Sequence, residues 1–166
     1  MNARETLARE VREHGLVIGE VTLTSGRTAQ YLIDAKRAIL RPAGFRALGE
    51  LVAEEAKRVG ATAVGGITMG ADPIACSALA GGADVKAFFV RKDRKEHGLS
   101  RWIEGPPLEP GERCLVVEDV VTTGGSTMHA LDRLAGGGPK IEEAAGAPYI
   151  ALTTIDDVYP DRPDRA

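Results

Sequence analysis

The chain has 166 residues, 43% of them apolar and 27% charged, with a formal net charge of −3. That length supports one domain with a real core, and the composition excludes intrinsic disorder. The small negative charge leaves no electrostatic footprint for nucleic acid, and no apolar run is long enough to span a bilayer. The first ten residues, M-N-A-R-E-T-L-A-R-E, are charged throughout and lack the apolar core of a signal peptide. Cys76 and Cys114 both lie in apolar sequence, which predicts two reduced core residues rather than a disulfide or a metal pair. A cytoplasmic protein is the expectation.

Leu7 and Val11 are spaced for one face of a helix over 3–14. Residues 21–31 read as a loop-bearing segment around Thr24-Ser25-Gly26-Arg27, and 31–35 as a short strand. Pro42 opens a helix that Gly60 is placed to end. Residues 63–67 form a strand, 68–73 a turn and 74–80 a helix. Residues 85–90 are an apolar strand. The segment 91–110 is charged and broken by Gly98, Gly105, Pro106 and Pro107, so it reads as a mobile loop. Another strand is predicted at 115–117, a short helix at 139–145 and a last strand at 149–155. The tail 160–166 is polar and expected to fray. Strands alternating with helices predict one α/β domain with a mostly parallel sheet.

The most informative stretch is L-V-V-E-D-V-V-T-T-G-G-S-T, residues 115–127. Leu115, Val116 and Val117 suit a buried parallel strand. Glu118 and Asp119 stand at its carboxyl end, where open α/β sheets place ligands. Gly124 and Gly125 let main-chain N–H groups approach an anion closely. Thr122, Thr123, Ser126 and Thr127 add hydroxyl donors. If Ser126 or Thr127 caps a helix, its N-terminus favours a phosphate there. The two acids can accept hydrogen bonds from vicinal ribose hydroxyls. An ordinary strand–turn–helix connection is the plain alternative, and no G-K-[ST] follows to make a Walker loop.

A second constellation packs Arg91, Lys92, Arg94, Lys95 and His97 into the segment after a buried-looking strand. A charge run by itself reads as a solvated face. Beside a phosphate cradle it gains a role, because cations that close over a departing polyphosphate stabilise the transition state and exclude water.

Residues 115–127 resemble the signature with which type I phosphoribosyltransferases hold 5-phosphoribosyl 1-pyrophosphate (PRPP). R-K-x-x-K-x-H-G at 91–98 resembles the catalytic loop of the orotate phosphoribosyltransferase family. Ser25-Gly26-Arg27 with Tyr31 and Asp34 is similar to its orotate-side loop, and G-I-T-M-G-A-D-P-I-A at 66–75 to its pyrophosphate loop. The resemblance implies a mostly parallel central sheet flanked by helices, with a small N-terminal hood at 1–35, a core at 36–159 and a tail at 160–166. It implies transfer of the phosphoribosyl group from PRPP to orotate, giving orotidine 5′-monophosphate and pyrophosphate, in pyrimidine (UMP) biosynthesis. Mg²⁺ would come bound to PRPP, with no direct protein ligand.

By the same resemblance Lys95, His97 and Asp119 are catalytic, with Arg91 and Lys92 supporting the pyrophosphate. Glu118, Asp119, Val120, Val121, Thr122, Thr123, Gly124, Gly125, Ser126 and Thr127 hold the ribose and 5′-phosphate. Thr122, Ser25, Gly26, Arg27 and Arg133 face orotate. The family is homodimeric, with the loop around Lys95 completing the partner's site. A phosphoribosyltransferase for a purine or for uracil, and a PRPP-binding regulator or inactive paralogue, remain as alternatives.

The sequence departs from the family pattern in places. Thr24 and Gly70 stand where many members carry lysine. Lys36 and Arg37 read as dimer-surface cations, and His14 and His129 as packing or surface residues. Trp102 either latches the charged loop or packs loosely. Asp132-Arg133 resembles the Asp-Arg that binds the orotate carboxylate, yet only four residues separate it from Thr127. A crossover with its helix needs at least ~10–12 residues, and the strand after it ~5 more. Either the chain lacks a helix and a strand, so that 128–134 is the helix after the cradle, or residues that belong between these motifs are absent from the sequence. The intact flanking motifs, and the sheet edge that such a deletion exposes, favour the second reading.

Overall fold

A computed structural model of the chain describes residues 1–22, 26, 28–93, 102–137 and 149–165. Helix α1 (Ala3–Glu10) starts on a reciprocal cap. Asn2 Oδ1 accepts from Glu5 N–H at 2.8 Å, and Glu5 Oε2 accepts from Asn2 N–H at 3.0 Å. A wider π-type turn, Val11–Gly15, leads into β1 (Leu16–Thr22), which pairs antiparallel with β2 (Thr28–Ile33) as a sheet of its own. Strand β1 escapes the sequence reading because it has no clean inner and outer face: Ile18 is 65% exposed.

Short α2 (Lys36–Ile39) precedes α3 (Pro42–Val59). Pro42 sits in the first turn, and Gly60 ends the helix at φ 66°, in the left-handed conformation glycine tolerates. Then come β3 (Ala63–Ile67), α4 (Asp72–Ala80), β4 (Lys86–Val90), β5 (Ile103–Glu104), β6 (Cys114–Val116), α5 (Gly125–Gly137) and α6 (Ile155–Val158). The main sheet has the order β5-β4-β3-β6. Strand β3 runs parallel to β4 and β6, and β5 is antiparallel to β4.

Alternation along the strands divides the core. Val64, Ala87, Phe89, Leu115 and Val117 face the layer of α1, α3 and α4, with Leu48, Val52 and Ile74. Ala63, Ile67, Phe88, Val90, Cys114 and Val116 face α5 through Ala130 and Leu134. The domain is thus a three-layer α/β fold with helices on both faces of the sheet. No helix among the described residues is long and apolar enough to cross a membrane.

Several expectations need correction. Residues 149–155 form no strand. Arg4 donates to the carbonyls of Ala151 and Leu152, and Thr154 caps α6 through Asp157, so these backbone groups are engaged elsewhere. The tail does not fray. Asp164 accepts from Tyr31 OH at 3.0 Å, and Tyr159 meets the Tyr31 ring edge-on at 5.5 Å. The far end of the 91–110 segment is anchored, since Arg91 N–H donates to Trp102 O, β5 pairs with β4 and Lys86 Nζ reaches Pro107 O. Cys76 is exposed on α4 rather than buried, while Cys114 is half-buried; both are free thiols. The helix predicted at 139–145 lies outside the described residues.

Helix α5 runs without a break through Thr127 and Asp132. This is the arrangement in which 128–134 is the helix after the cradle. Its cost is the one anticipated from sequence. Among the described residues β6 is an edge strand, and beside it opens a cavity of about 2180 Å³ lined by apolar side chains including Leu7, Val11, Leu48, Val52, Leu115 and Val117.

Candidate functional site

The chain leaves β3 toward β4 on one side, while β6 lies on the other. The carboxyl ends of β3 and β6 therefore flank a topological switch point, where α/β sheets open a ligand crevice. Two glycines let the backbones close in. A Cβ at Gly66 would overlap the Val117 carbonyl, and one at Gly70 would lie 2.7 Å from Asp119 Cγ. The turn after β3, with its cis Thr68–Met69 peptide, thus rests against an acid that follows β6.

Asp119 is held from several directions. Its Oδ1 accepts from Val120 N–H at 3.0 Å, and its Oδ2 accepts from Lys36 Nζ at 2.9 Å. Lys36 Nζ also lies 3.1 Å from Asp34 Oδ1. The Asp119 carboxylate holds the Lys36 ammonium above its ordinary range. Glu118 Oε1 accepts from Asp119 N–H at 3.2 Å. Burial, reinforced by the neighbouring Asp119 carboxylate, pushes the Glu118 carboxyl up to about 7, and Lys92 opposes that rise. One of two adjacent acids is therefore poised to keep its proton near neutrality.

The cradle follows. Glu118 and residues 120–127 line a small concavity of about 50 Å³. Helix α5 starts at Gly125, so Gly124 (φ 78°) stands at the cap, and Ser126 and Thr127 fall in the first turn. This corrects the expectation that Ser126 or Thr127 caps the helix. Met128 N–H donates to Gly124 O at 3.0 Å, which leaves the N–H groups of Gly125, Ser126 and Thr127 without intrahelical acceptors. Free N–H groups, the helix dipole and hydroxyls converge on one hollow, which is the chemistry of a phosphate site.

Other predicted residues fall elsewhere. Arg91 pairs with Glu104 at 3.3 Å and donates to Asp93 O. Lys92 faces Glu118 electrostatically. Arg133 does not reach the crevice: it lies eight residues beyond Gly125, about 12 Å along the helix axis. Its guanidinium stacks on Trp102 at 3.6 Å, which also gives that tryptophan a packed role. With no strand between cradle and Asp132, the Asp-Arg pair is carried onto a helix that runs away from the site. Gly26 adopts φ 79° in the hairpin turn, while Ser25, Arg27, Lys95 and His97 lie outside the described residues.

Sequence reasoning missed Lys36, which it assigned to a dimer surface. The only available signal was its spacing of two from Asp34. His14, read as a packing or surface residue, lies 3.8 Å from Glu10 and 3.9 Å from Glu13. Among the described residues these three form the one potential metal-ligand group. Glu10 is already engaged by Arg9 and Arg41, so the group is an ion-pair cluster.

The phosphoribosyl transferase domain family matches residues 35–147. Orotate phosphoribosyltransferase of Corynebacterium glutamicum (strain R) is 41% identical over 175 positions, covering 95% of each chain. The chain belongs to the orotate phosphoribosyltransferase family. Another member, from Streptomyces coelicolor, is 38% identical over 178 positions, covering 95% of this chain and 97% of that one. Both alignments are longer than the 166 residues here, so these relatives carry positions with no counterpart in this chain. The Mycobacterium tuberculosis H37Rv orotate phosphoribosyltransferase in complex with PRPP superposes with TM-score 0.68 at 36% identity, covering 83% of this chain and 77% of that one.

Proposed function

We propose that this protein transfers the 5-phosphoribosyl group of PRPP to orotate, releasing pyrophosphate and orotidine 5′-monophosphate for pyrimidine synthesis. The observation that carries the reading is the meeting of a hydroxyl- and glycine-lined cradle with the Glu118–Asp119 pair at the switch point of the sheet. The choice of base rests on the relatives, which are orotate phosphoribosyltransferases at about 40% identity over most of the chain.

The cradle, Thr122 to Thr127, takes the 5′-phosphate on N–H groups and hydroxyls. Glu118 and Asp119 accept from the ribose hydroxyls and fix C1 toward the base. The bond from C1 to the pyrophosphate oxygen breaks, C1 forms its new bond to a ring nitrogen of orotate, and the proton of that nitrogen passes to the released pyrophosphate or to solvent. Lys95, with His97, Arg91 and Lys92 in support, spreads positive charge over the departing pyrophosphate and shuts out water. Thr122 and the Ser25-Gly26-Arg27 turn position the base. Mg²⁺ would enter bound to PRPP and would supply neutralisation of the pyrophosphate charge; Glu118 and Asp119 offer oxygen donors of the hard type that suits such an ion. The protein acts as a cytoplasmic homodimer in which the loop around Lys95 completes the partner's site. The exposed Ile18 on β1 and Leu40 at the end of α2 are compatible with a subunit contact.

The test is a PRPP-dependent assay with orotate beside adenine, guanine, xanthine and uracil, with and without Mg²⁺. Orotate consumption that requires Mg²⁺ is the expected result. Turnover of another base in place of orotate would overturn the assignment.

A further inference from the structure

Asp119 lies three residues beyond the end of β6, and its side chain is only 12% exposed. Its single side-chain cation partner among the described residues is Lys36, from a different part of the chain. Lys36 is the first residue of α2, where a positive charge gains nothing from the helix dipole. Local helix stability therefore does not account for this lysine. What it does make is a bridge: Asp34 Oδ1 at 3.1 Å on one side and Asp119 Oδ2 at 2.9 Å on the other. Asp34 is itself fixed, since its N–H donates to Gly15 O at 2.9 Å where the hairpin begins. Gly70 also lies against the Asp119 carboxylate and leaves no room for a Cβ. The carboxylate is held by a cation and packed against a backbone turn.

We propose that Lys36 is a positioning residue for PRPP: by bridging Asp34 and Asp119 it fixes the orientation and the negative charge of Asp119 where the ribose hydroxyls bind. It thereby ties the N-terminal hairpin to the acid pair of the core. The inference rests on the PRPP-binding part of the proposed function. Three further ionisable groups lie around the Lys36–Asp119 pair: Asp34 from the hairpin end, Glu118 from the residues after β6, and Lys92 from the segment after β4. Burial and the neighbouring Asp119 push Glu118 toward neutrality, while the Lys36 ammonium lies against Asp119. Without the ammonium Asp119 loses the donor that orients its carboxylate and the cation that favours its charged form, and the ribose meets a misdirected partner.

PRPP binding to the full-length protein, followed by calorimetry across pH 5 to 9 without orotate, tests this separately from base choice. Lys36→Met is expected to weaken PRPP at least tenfold and to move the acidic limb of binding to higher pH. The KM for orotate should stay within twofold. Lys36→Arg, which keeps the charge, is expected to restore the limb and most of the affinity. A thermal melt matching wild type establishes that the variants are folded; if Lys36→Met melts early, Lys36→Arg and Asp34→Asn supply the same comparison. Failure of the wild-type protein to bind PRPP would defeat the functional reading itself. Wild-type binding with unchanged affinity and an unchanged acidic limb in Lys36→Met would overturn the role of Lys36.

Discussion

The cradle side of the crevice is built from consecutive residues, 118–127, between β6 and the first turn of α5. The base side, by family resemblance, draws on Thr122, on Ser25-Gly26-Arg27 and on an arginine that here lies about 12 Å down α5 from the cradle. The difference is one of tolerance. A local phosphate site needs only its strand, its turn and the first turn of its helix. A base pocket needs several elements at fixed spacing, so loss of one crossover moves Arg133 onto Trp102 while the cradle stays formed.

The comparison can be tested by variants ordered by expected effect. Lys95→Ala is expected to lower kcat by about 10²–10³, the range for removing one group that stabilises developing charge. Its thermal melt should be unchanged, and single-turnover kinetics separate chemistry from binding. Asp119→Asn should weaken PRPP by roughly 10–100-fold, since a charge-assisted hydrogen bond contributes about 1.5–3 kcal/mol. Calorimetric titration reads this directly, and unchanged affinity would remove Asp119 from the ribose site. Gly124→Ala places a side chain at φ 78°, which costs about 1–2 kcal/mol. The cradle should loosen accordingly, visible as a severalfold rise in the KM for PRPP with orotate KM unmoved.

Glu118 yields a pH prediction. Its folded carboxyl titrates near 7, above its ordinary 4.5. Between those values the folded state binds more protons than the unfolded chain, so this group's contribution to stability falls as pH rises from about 4.5 to about 7. Because the residue is half-buried, solvent screening limits the effect to about 1–2 kcal/mol. Chemical denaturation at pH 5 and pH 8 should show that loss in the wild type and a flatter dependence in Glu118→Gln. The smallest effect is expected for Arg133→Ala. Loss of the stacking on Trp102 should cost about 0.5–1 kcal/mol of stability and leave the KM for orotate unchanged. A large rise in that KM would show that Arg133 reaches the base after all and would close the gap between the two halves.

Elements with local signals were legible before the structure. Pro42 and Gly60 bracket α3 at the expected positions, and the apolar run before Gly66 is β3. The cradle was legible for the same reason, as every group it needs lies within ten residues. Elements that depend on a distant partner were not. Residues 149–155 are an apolar and β-branched run like a strand, but Arg4 takes the carbonyls of Ala151 and Leu152. Strand β5 is two residues long and exists only because β4 offers an edge. Cys76 sits among apolar neighbours in sequence but turns outward on α4.

What the sequence determined by itself is the fold class, the family and the strand–turn–helix of the cradle, because helix periodicity and turn residues are short-range. Only the tertiary structure decided which cation answers Asp119, where Arg133 points and that, among the described residues, β6 is an edge strand beside an apolar cavity. Those outcomes are set by contacts between residues as much as 83 positions apart, as for Lys36 and Asp119. No local pattern encodes such pairings; they follow from how the layers pack.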